Sequence, residues 1–384
     1  MREHEAFRRM ILAHPEQDGP RLLYSDWLDQ IGDPRAEFIR LQCASANLPP
    51  NDPRNIDLQH QADVLLKEHQ HEWVEPLRPI ISGWQFHRGF VETVIIDARQ
   101  FLLHADSLFD LAPVRHVRLL DVGSHVQQLV NSIYLDRLQT LTIFASHSGD
   151  SLARALSTCP HLHRLKELNI ARNRITDAGV AAIAASRAML QLTSLDLSEN
   201  HLSEPSAHYL AASTAFERLQ SLSLNHNIVG SSGAHVLFEA SRLLQLQTLK
   251  LGYNQITGFV QMTEAPTLSH LRSLDLSGNQ LDGAGIAPLV ESQLVRGLHT
   301  LNLSHNTLGD HGVQVLADAP SLAGLRTLVL DDNRITDAGA RSLAASPHFS
   351  RLTSLKLANN PIGATGVQLL QESLFLNRHT AARR

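Results

Sequence analysis

The chain has 384 residues, 43% hydrophobic and 18% charged, with a formal charge of −5, a balance that leaves ample apolar residues for a core and fits an ordinary soluble protein. Its 33 Lys and Arg are scattered and outnumbered by 38 Asp and Glu, which disfavours nucleic-acid binding. No apolar run approaches the roughly 18 residues of a membrane span, and the amino terminus MREHEAFRRMILAHPEQD, charged from the start, does not resemble a signal peptide, so the expected location is the cytoplasm.

Residues 1–85 form a block of their own, predicted to be a small all-α domain. Helices are expected over 3–13, over 20–31 with Leu22, Leu23, Trp27 and Leu28 as an apolar stripe, and over 33–46, where Asp33 caps and Pro34 takes the first helical position. Gly32 falls where a left-handed C-terminal cap belongs. After the loop LPPNDP at 48–53 a fourth helix fits 54–75, with Leu58, Ala62, Leu65, Leu66, His69 and Trp73 on one face. The string PRLLYSDWLDQIGDPRAEFIRLQ at 20–42 resembles the short repeat-companion domain that precedes leucine-rich repeats in some large bacterial genomes. The match runs through Arg21, Leu22, Tyr24, Asp26, Trp27, Leu28, Gly32, Asp33, Pro34, Arg35, Glu37 and Phe38, with Ser25 where that family usually has alanine. The resemblance implies a bacterial, cytoplasmic repeat protein and brings no chemistry with it. Arg21, Asp26, Arg35 and Glu37 are expected to form internal salt bridges and caps that fix the helical hairpin, the other reading being a docking surface.

From 86 to 137, FVETVIIDA at 90–98 and VRHVRLLDV at 114–122 keep an apolar strand pattern and read as degenerate capping repeats. Between 138 and 376 the pattern becomes regular. LQTLTIFAS at 138–146 has Ser146 at a position that then becomes asparagine every 27 residues, at Asn173, Asn200, Asn227 and Asn254, after 25 residues at Asn279, and again at Asn306, Asn333 and Asn360. The surrounding frame LxxLxLxxNx(I/L), as in LKELNIARNRI and LRTLVLDDNRI, resembles the leucine-rich repeat. A strand of three or four residues cannot bury its leucines alone, so successive turns must stack them into one core. Each asparagine amide can donate to and accept from backbone groups that would be stranded inside the coil.

Behind the asparagines, ITDAGVAAIAAS, TLGDHGVQVLADA and ITDAGARSLAAS read as helices, with Asp177, Asp310 and Asp337 at the N-cap, two residues ahead of Gly179, Gly312 and Gly339. The predicted fold class is therefore α/β: a leucine-rich repeat solenoid bent into a horseshoe, with a parallel sheet on the concave face and helices on the convex one, preceded by the small all-α domain. The pattern resembles the ribonuclease-inhibitor-like class, which includes the Ran GTPase-activating proteins and cytosolic immune receptors. ITGFVQMTEAPTL after Asn254 is two residues short and lacks the helix glycine, predicting a loop or 3₁₀ turn; 377–384 reads as a short basic tail.

Catalytic signals are missing from the sequence. No GxxxxGK(S/T), GxGxxG or GxSxG occurs. His69-x-His71 and His161-x-His163 are isolated pairs without a carboxylate or cysteine at ligand spacing, and the 22 histidines read as solvated surface. Cys43 and Cys159 imply neither a disulfide framework nor a cysteine metal site, and Cys159 reads as a small packing residue. The chain is read as a non-enzyme, with no cofactor and no metal.

Function is then sought on the concave sheet. One column runs Thr142, Asn169, Asp196, Ser223, Lys250, Asp275, Asn302, Val329, Lys356; a second runs Phe144, Ala171, Ser198, Asn225, Gly252, Ser277, Ser304, Asp331, Ala358. A third runs Ala145, Arg172, Glu199, His226, Tyr253, Gly278, His305, Asp332, Asn359. Nine strands about 4.8 Å apart give a floor roughly 40 Å long, wide enough for a protein. The richest neighbourhood, Arg172, Glu199, His226 and Tyr253 flanked by Asp196 and Lys250, is the candidate partner-binding patch. The expected function is a cytoplasmic protein-interaction module, monomeric, with no nucleic-acid or membrane partner. The alternative is regulation of another enzyme in trans, GTPase-activator-like or inhibitor-like, which rests on fold analogy alone.

Overall fold

The computed structural model describes residues 2–49, 52–260 and 268–376 and separates into two compact units, Met1–Ser146 with Pro160–Leu165, and His147–Cys159 with the chain from Lys166 onward. The basic tail read at 377–384 lies outside the described residues, as does the stretch 261–267 of the short repeat.

The first unit opens with four helices: α1 (Arg2–Ala13), α2 (Asp18–Gln30), α3 (Arg35–Ala46) and α4 (Pro53–Val74). Short polar residues start two of them. Asp52 Oδ1 accepts the Arg54 N–H at 2.9 Å ahead of α4, whose Pro53 has no donor to satisfy. Asp33 Oδ1 accepts the Arg35 N–H at 2.8 Å, so its capping bond forms, with Pro34 one step outside α3 instead of first within it. Gly32 turns the chain between α2 and α3 at φ +72°. On α4 the face bearing Leu58, Ala62, Leu65, Leu66, His69 and Trp73 is the inward one, half-buried except for Ala62, which is fully buried.

Helix α2 turns in a different face from the one its leucines suggest. Arg21, Tyr24, Ser25 and Leu28 are buried, whereas Leu22 and Leu23 are 39% and 54% exposed. The cause is the set of acceptors around Arg21: the carbonyls of Pro15, His87 and Arg88 at 2.6, 3.2 and 3.0 Å, and Glu92 Oε1 at 2.6 Å. A guanidinium can be buried only when it is paired and hydrogen-bonded, and here it is both. Arg115 Nε meets the other Glu92 oxygen at 2.9 Å, and Arg88 pairs with Asp18 at 3.2 Å.

Two of those carbonyls belong to a hairpin that the sequence reading did not contain. Strand β1 (Gly83–His87) pairs antiparallel with β2 (Phe90–Asp97) through Arg88 and Gly89, whose φ values of 49° and 85° match the twist of the flanking strands. Arg35 donates to Gly89 O at 3.2 Å and Gln42 Oε1 accepts the Gly89 N–H at 2.8 Å. A Cβ at Gly89 would stand 2.2 Å from Ile39 Cγ1, so the turn needs glycine for space as well as for φ. Arg21 and Arg35 thus hold the hairpin turn, while Asp26 and Glu37 pair with Arg40 at 3.4 and 3.7 Å. After α5 (Ala98–Leu111), strand β3 (His116–Leu120) and, beyond the short helix α6 (Val126–Val130), β4 (Thr140–Ile143) add in parallel, with Val94, Val117 and Leu141 in register.

The second unit is a solenoid of strand-and-helix turns. Its strands β5 (Glu167–Asn169), β6 (Ser194–Asp196), β7 (Ser221–Ser223), β8 (Thr248–Lys250), β9 (Ser273–Asp275), β10 (Thr300–Asn302), β11 (Thr327–Val329) and β12 (Ser354–Lys356) pair in parallel and in chain order. Helix α7 (Gly149–Thr158) precedes β5; α8 (Asp177–Ala184), α9 (Glu204–Ala212) and α10 (Gly230–Phe238) follow the next strands. After β8 the described residues 256–260 carry no helix, and the series resumes with α11 (Gly283–Glu291), α12 (Gly309–Ala317), α13 (Asp337–Ala345) and α14 (Ala364–Gln371). The middle residue of every strand is leucine, from Leu168 to Leu355, each at most 4% exposed. Each such burial contributes about 1.5–3 kcal/mol against the entropy of ordering the chain.

Asparagine amides tie each turn to the one before. Asn200 Nδ2 donates to Leu197 O and Ser198 O in its own turn and to Ile170 O one repeat back, while its Oδ1 accepts the N–H of Asn173 and of Ile175, both at 3.0 Å. Asn279 keeps this pattern across the short repeat, accepting from Asn254 and Ile256 at 2.9 and 3.0 Å.

The aspartates read as N-caps work one repeat away, which corrects that expectation. Thr176 caps α8 and Thr336 caps α13, and Asp177 and Asp337 are the first residues inside their helices. Their carboxylates accept from the start of the following helix: Asp177 from Ser203 N at 2.9 Å, Asp310 from Thr336 N at 2.8 Å, Asp337 from Gly363 N at 2.6 Å. A carboxylate in the first turn suits the dipole of its own helix, and stacking brings it to the open donors of the next. No helix among the described residues is long and apolar enough to cross a membrane.

Candidate functional site

Every turn of the second unit leaves its strand through a residue in the left-handed region, immediately before the asparagine. Arg172, Glu199, His226, Tyr253, Gly278, His305, Asp332 and Asn359 all have φ between 52° and 63°. That backbone costs a side-chain-bearing residue roughly 1–2 kcal/mol, offset here by the asparagine bonds that close the turn. The third column read from the sequence is therefore not on the sheet. It forms a ribbon along the turns, exposed because the left-handed step breaks the alternation of the strand.

The other two columns are largely engaged in structure. In the second, Ala171, Gly252, Ser277 and Ser304 are buried. In the first, Asn169, Asp196, Asp275 and Asn302 each accept the N–H two residues ahead, at 3.0, 2.9, 3.0 and 3.1 Å. Lysine has no acceptor to offer. At Lys250 and Lys356 the corresponding N–H, of Gly252 and Ala358, goes instead to Asn225 Oδ1 and Asp331 Oδ1 of the preceding repeat, at 2.7 and 2.6 Å. Of the six candidate residues, Asp196 is thus a turn-closing carboxylate that also accepts from Ser198 Oγ at 2.6 Å and Asn169 Nδ2 at 3.1 Å. Lys250 is exposed on β8.

The ribbon brings the remaining four together in pairs. Arg172 Nε lies 3.5 Å from Glu199 Oε2, with both side chains exposed. His226 and Tyr253 stack, ring centroids 4.3 Å apart and planes within 8°. Tyr253, 41% exposed, lies over Gly278, where a Cβ would stand 2.4 Å from its ring carbons. From there the ring reaches His305, 6.4 Å away between centroids, whose Nδ1 is 2.9 Å from Asp332 Oδ2. His305, Asp332 and the seat at Gly278 were not singled out from the sequence, although all three stand in the column that was read. Ile228, two residues past His226 in the same turn, adds 51% exposed aliphatic surface.

Chemically the arrangement is an exposed aromatic stack with an ion pair, Arg172–Glu199, at one end and a hydrogen-bonded histidine–aspartate pair, His305–Asp332, at the other. It holds no nucleophile with an adjacent base, and among the described residues no group of three or more His, Cys, Asp or Glu is placed to hold a metal. In the first unit the structure brings Asp136 to both His161 and His163, each Nδ1 being 3.3 Å from a carboxylate oxygen, a pairing invisible in the local spacing.

Leucine-rich repeat models match this chain at 161–184, 267–290, 298–317, 325–344 and 351–370, and a second such model matches 191–212. Among curated proteins nothing matches. Similar solved structures include an internalin (inlF) from Listeria monocytogenes, 16% identical, covering 79% of this chain and 93% of that one at a TM-score of 0.43. An internalin C2 from the same organism is 23% identical over 58% of this chain and 80% of that one, TM-score 0.35. The TLR13–ssRNA13 complex is 22% identical over 64% of this chain, which spans only 36% of that one, TM-score 0.41. The second unit is a leucine-rich repeat solenoid, and that fold is typically a protein-binding scaffold.

Proposed function

We propose that the chain is a non-catalytic, cytoplasmic protein-binding module that grips its partner along the turn ribbon of the second unit. Arg172, Glu199, His226 and Tyr253 make the contacts, Lys250 supplies a neighbouring charge, and Asp196 holds the turn that carries Glu199. The observation behind this reading is the exposed His226–Tyr253 stack with polar pairs on either side. Rigid aromatic surface surrounded by charge is the composition of an interface hot spot and its rim. Left-handed turns fix the Cα–Cβ direction of each residue, and the stack of His226 on Tyr253 orders those two rings before a partner arrives.

Within the leucine-rich repeats we assign the ribonuclease-inhibitor-like class, supported by turns of 27 residues that place a helix of eight to ten residues after most strands. The likeness of residues 20–42 to the repeat-companion domain supports a bacterial source.

The test is affinity capture from lysate of the source cell, comparing the intact chain with an Arg172→Ala, Glu199→Ala, His226→Ala, Tyr253→Ala variant whose fold is checked by circular dichroism. A partner held by the intact chain and lost by the variant supports the ribbon as its site. A partner held equally by both places binding elsewhere and ends the proposal.

A further inference from the structure

Helix α2 of the first unit has an outer side that the core does not use. With Arg21, Tyr24, Ser25 and Leu28 turned inward, Leu23 and, at the C-cap, Ile31 are left 54% and 60% exposed, and the partly buried Trp27 lies between them in the sequence. Side chains four residues apart stack along one side of a helix, so Leu23, Trp27 and Ile31 form a single ridge. Leu22 stands beside its first member and is also exposed. Single exposed leucines are ordinary on a protein surface. Four large apolar side chains on neighbouring turns of one helix make a patch, and a patch of this kind marks a contact surface.

Trp27 is held in place before anything binds. Its Nε1 donates to Glu3 Oε2 at 3.1 Å, and its ring stacks on Tyr24, centroids 5.9 Å apart and planes within 13°, with Phe7 6.0 Å away on α1. Tryptophan is among the residues most enriched at interface hot spots, and a ring ordered in advance loses little freedom on binding.

The flank of the ridge is acidic. Asp26 and Asp29 lie on α2, 67% and 65% exposed, and Glu37 reaches the same place from α3. All three pair with the one Arg40 guanidinium, at 3.4, 3.2 and 3.7 Å. Among the described residues neither Asp26 nor Asp29 has a second cation, so one guanidinium serves three carboxylates and the flank stays negative. An apolar ridge beside surplus negative charge is complementary to an apolar stripe beside positive charge. The backbone groups of α2 are engaged within the helix and offer no edge for a strand to add to, whereas a ridge at four-residue spacing fits the groove of a second helix about 8–10 Å away.

We infer that the outer side of α2 docks a basic amphipathic helix of a partner protein. The apolar stripe of that helix covers Leu23, Trp27 and Ile31, and its lysines or arginines meet Asp26 and Asp29. This assignment does not rest on the ribbon of the second unit.

The experiment is fluorescence anisotropy of the intact chain with a labelled leucine–lysine peptide of about 18 residues, long enough to hold a helix, with its leucines on one face. A peptide of the same composition in scrambled order and an amphipathic leucine–glutamate peptide serve as controls. Saturable binding of the leucine–lysine peptide is expected, weakening as salt rises. Leu23→Ser with Ile31→Ser should weaken it about tenfold, and Asp26→Asn with Asp29→Asn by a similar factor, while both controls bind far less. All four positions are exposed, and circular dichroism checks that the variants remain folded. Absence of saturable binding, equal binding of either control, or binding unchanged in both double variants overturns the inference. So does self-association of the chain in sedimentation velocity that Leu23→Ser with Ile31→Ser abolishes, since the face then belongs to a second copy.

Discussion

Asp310 and Gly339, from consecutive repeats, are fitted to each other: Asp310 Oδ1 accepts the Gly339 N–H at 2.9 Å, and a Cβ on Gly339 would stand 2.6 Å from that same oxygen. The same close approach recurs at Asp150 with Gly179 and at Asp337 with Gly366, each aspartate oxygen 2.5 Å from the added Cβ. The aspartate and glycine of one DAG triplet therefore face opposite neighbours.

Glycine to alanine inside a helix ordinarily stabilises by up to about 1 kcal/mol. At Gly339 the sign should reverse, because the new methyl meets both Asp310 Oδ1 and Ile335 Cγ2 at 2.6 Å. Gly339→Ala is expected to cost about 1–3 kcal/mol, and less in an Asp310→Ala background, where one obstacle is gone. Urea unfolding of the two single variants and the double variant reads the coupling; strict additivity would refute the fit.

Acid should loosen the same joints. Burial alone would raise the Asp177 and Asp310 carboxyls, but hydrogen bonds from Ser203 and Ser206, and from Thr336 and Gly339, outweigh it and hold both below their ordinary value of 3.8. A depressed folded-state value means the stabilisation is present above 3.8 and is lost as pH falls through the folded values. Thermal unfolding followed from neutral to acid pH should show a declining melting temperature below that point. Asp177→Asn with Asp310→Asn should lower stability at neutral pH and flatten the acid limb.

Glu92 is fully buried between Arg21 and Arg115. Glu92→Gln leaves buried guanidinium charge uncompensated, which costs about 3–5 kcal/mol. The expected result is selective loss of the first unit in hydrogen exchange, with protection in the second unit retained.

Tyr253→Ala should weaken capture of the partner by about 2 kcal/mol, or roughly thirtyfold, with stability changed by no more than about 0.5 kcal/mol. Gly278→Ala offers an independent check, since its methyl would displace the Tyr253 ring while removing no contact group. Unchanged affinity in both variants would count against the ribbon.

Burial, with the Asp18 charge adding to it, pushes the Cys43 thiol up to about 12. Thiolate is the reactive form, so iodoacetamide should modify Cys43 at pH of about 8 only as the protein unfolds. Rapid labelling of the native chain would show that the site opens.

What was legible in the sequence is what each residue does within its own turn. Leucines at strand centres, helices behind them and asparagines closing the coil all follow from local pattern, repeated often enough to be unmistakable. What was missed lies one period away or between distant segments: Asp177 reaching Ser203, Tyr253 lying over Gly278, Asp136 meeting His161 and His163. The buried face of α2 was misread for a related reason. Hydrophobicity ranks Arg21 last, yet four acceptors from elsewhere in the chain decide its burial.

The repeat that is two residues short has a consequence for how such a chain can change length. Between Asn254 and Asn279 the strands β8 and β9 still pair Leu249 with Leu274, and both bonds to Asn279 Oδ1 survive. The inner edge thus behaves as a fixed ruler, indifferent to how much chain is threaded around the outer arc. At this repeat a shorter outer path leaves the strand pairing and the asparagine bonds of the inner edge in place.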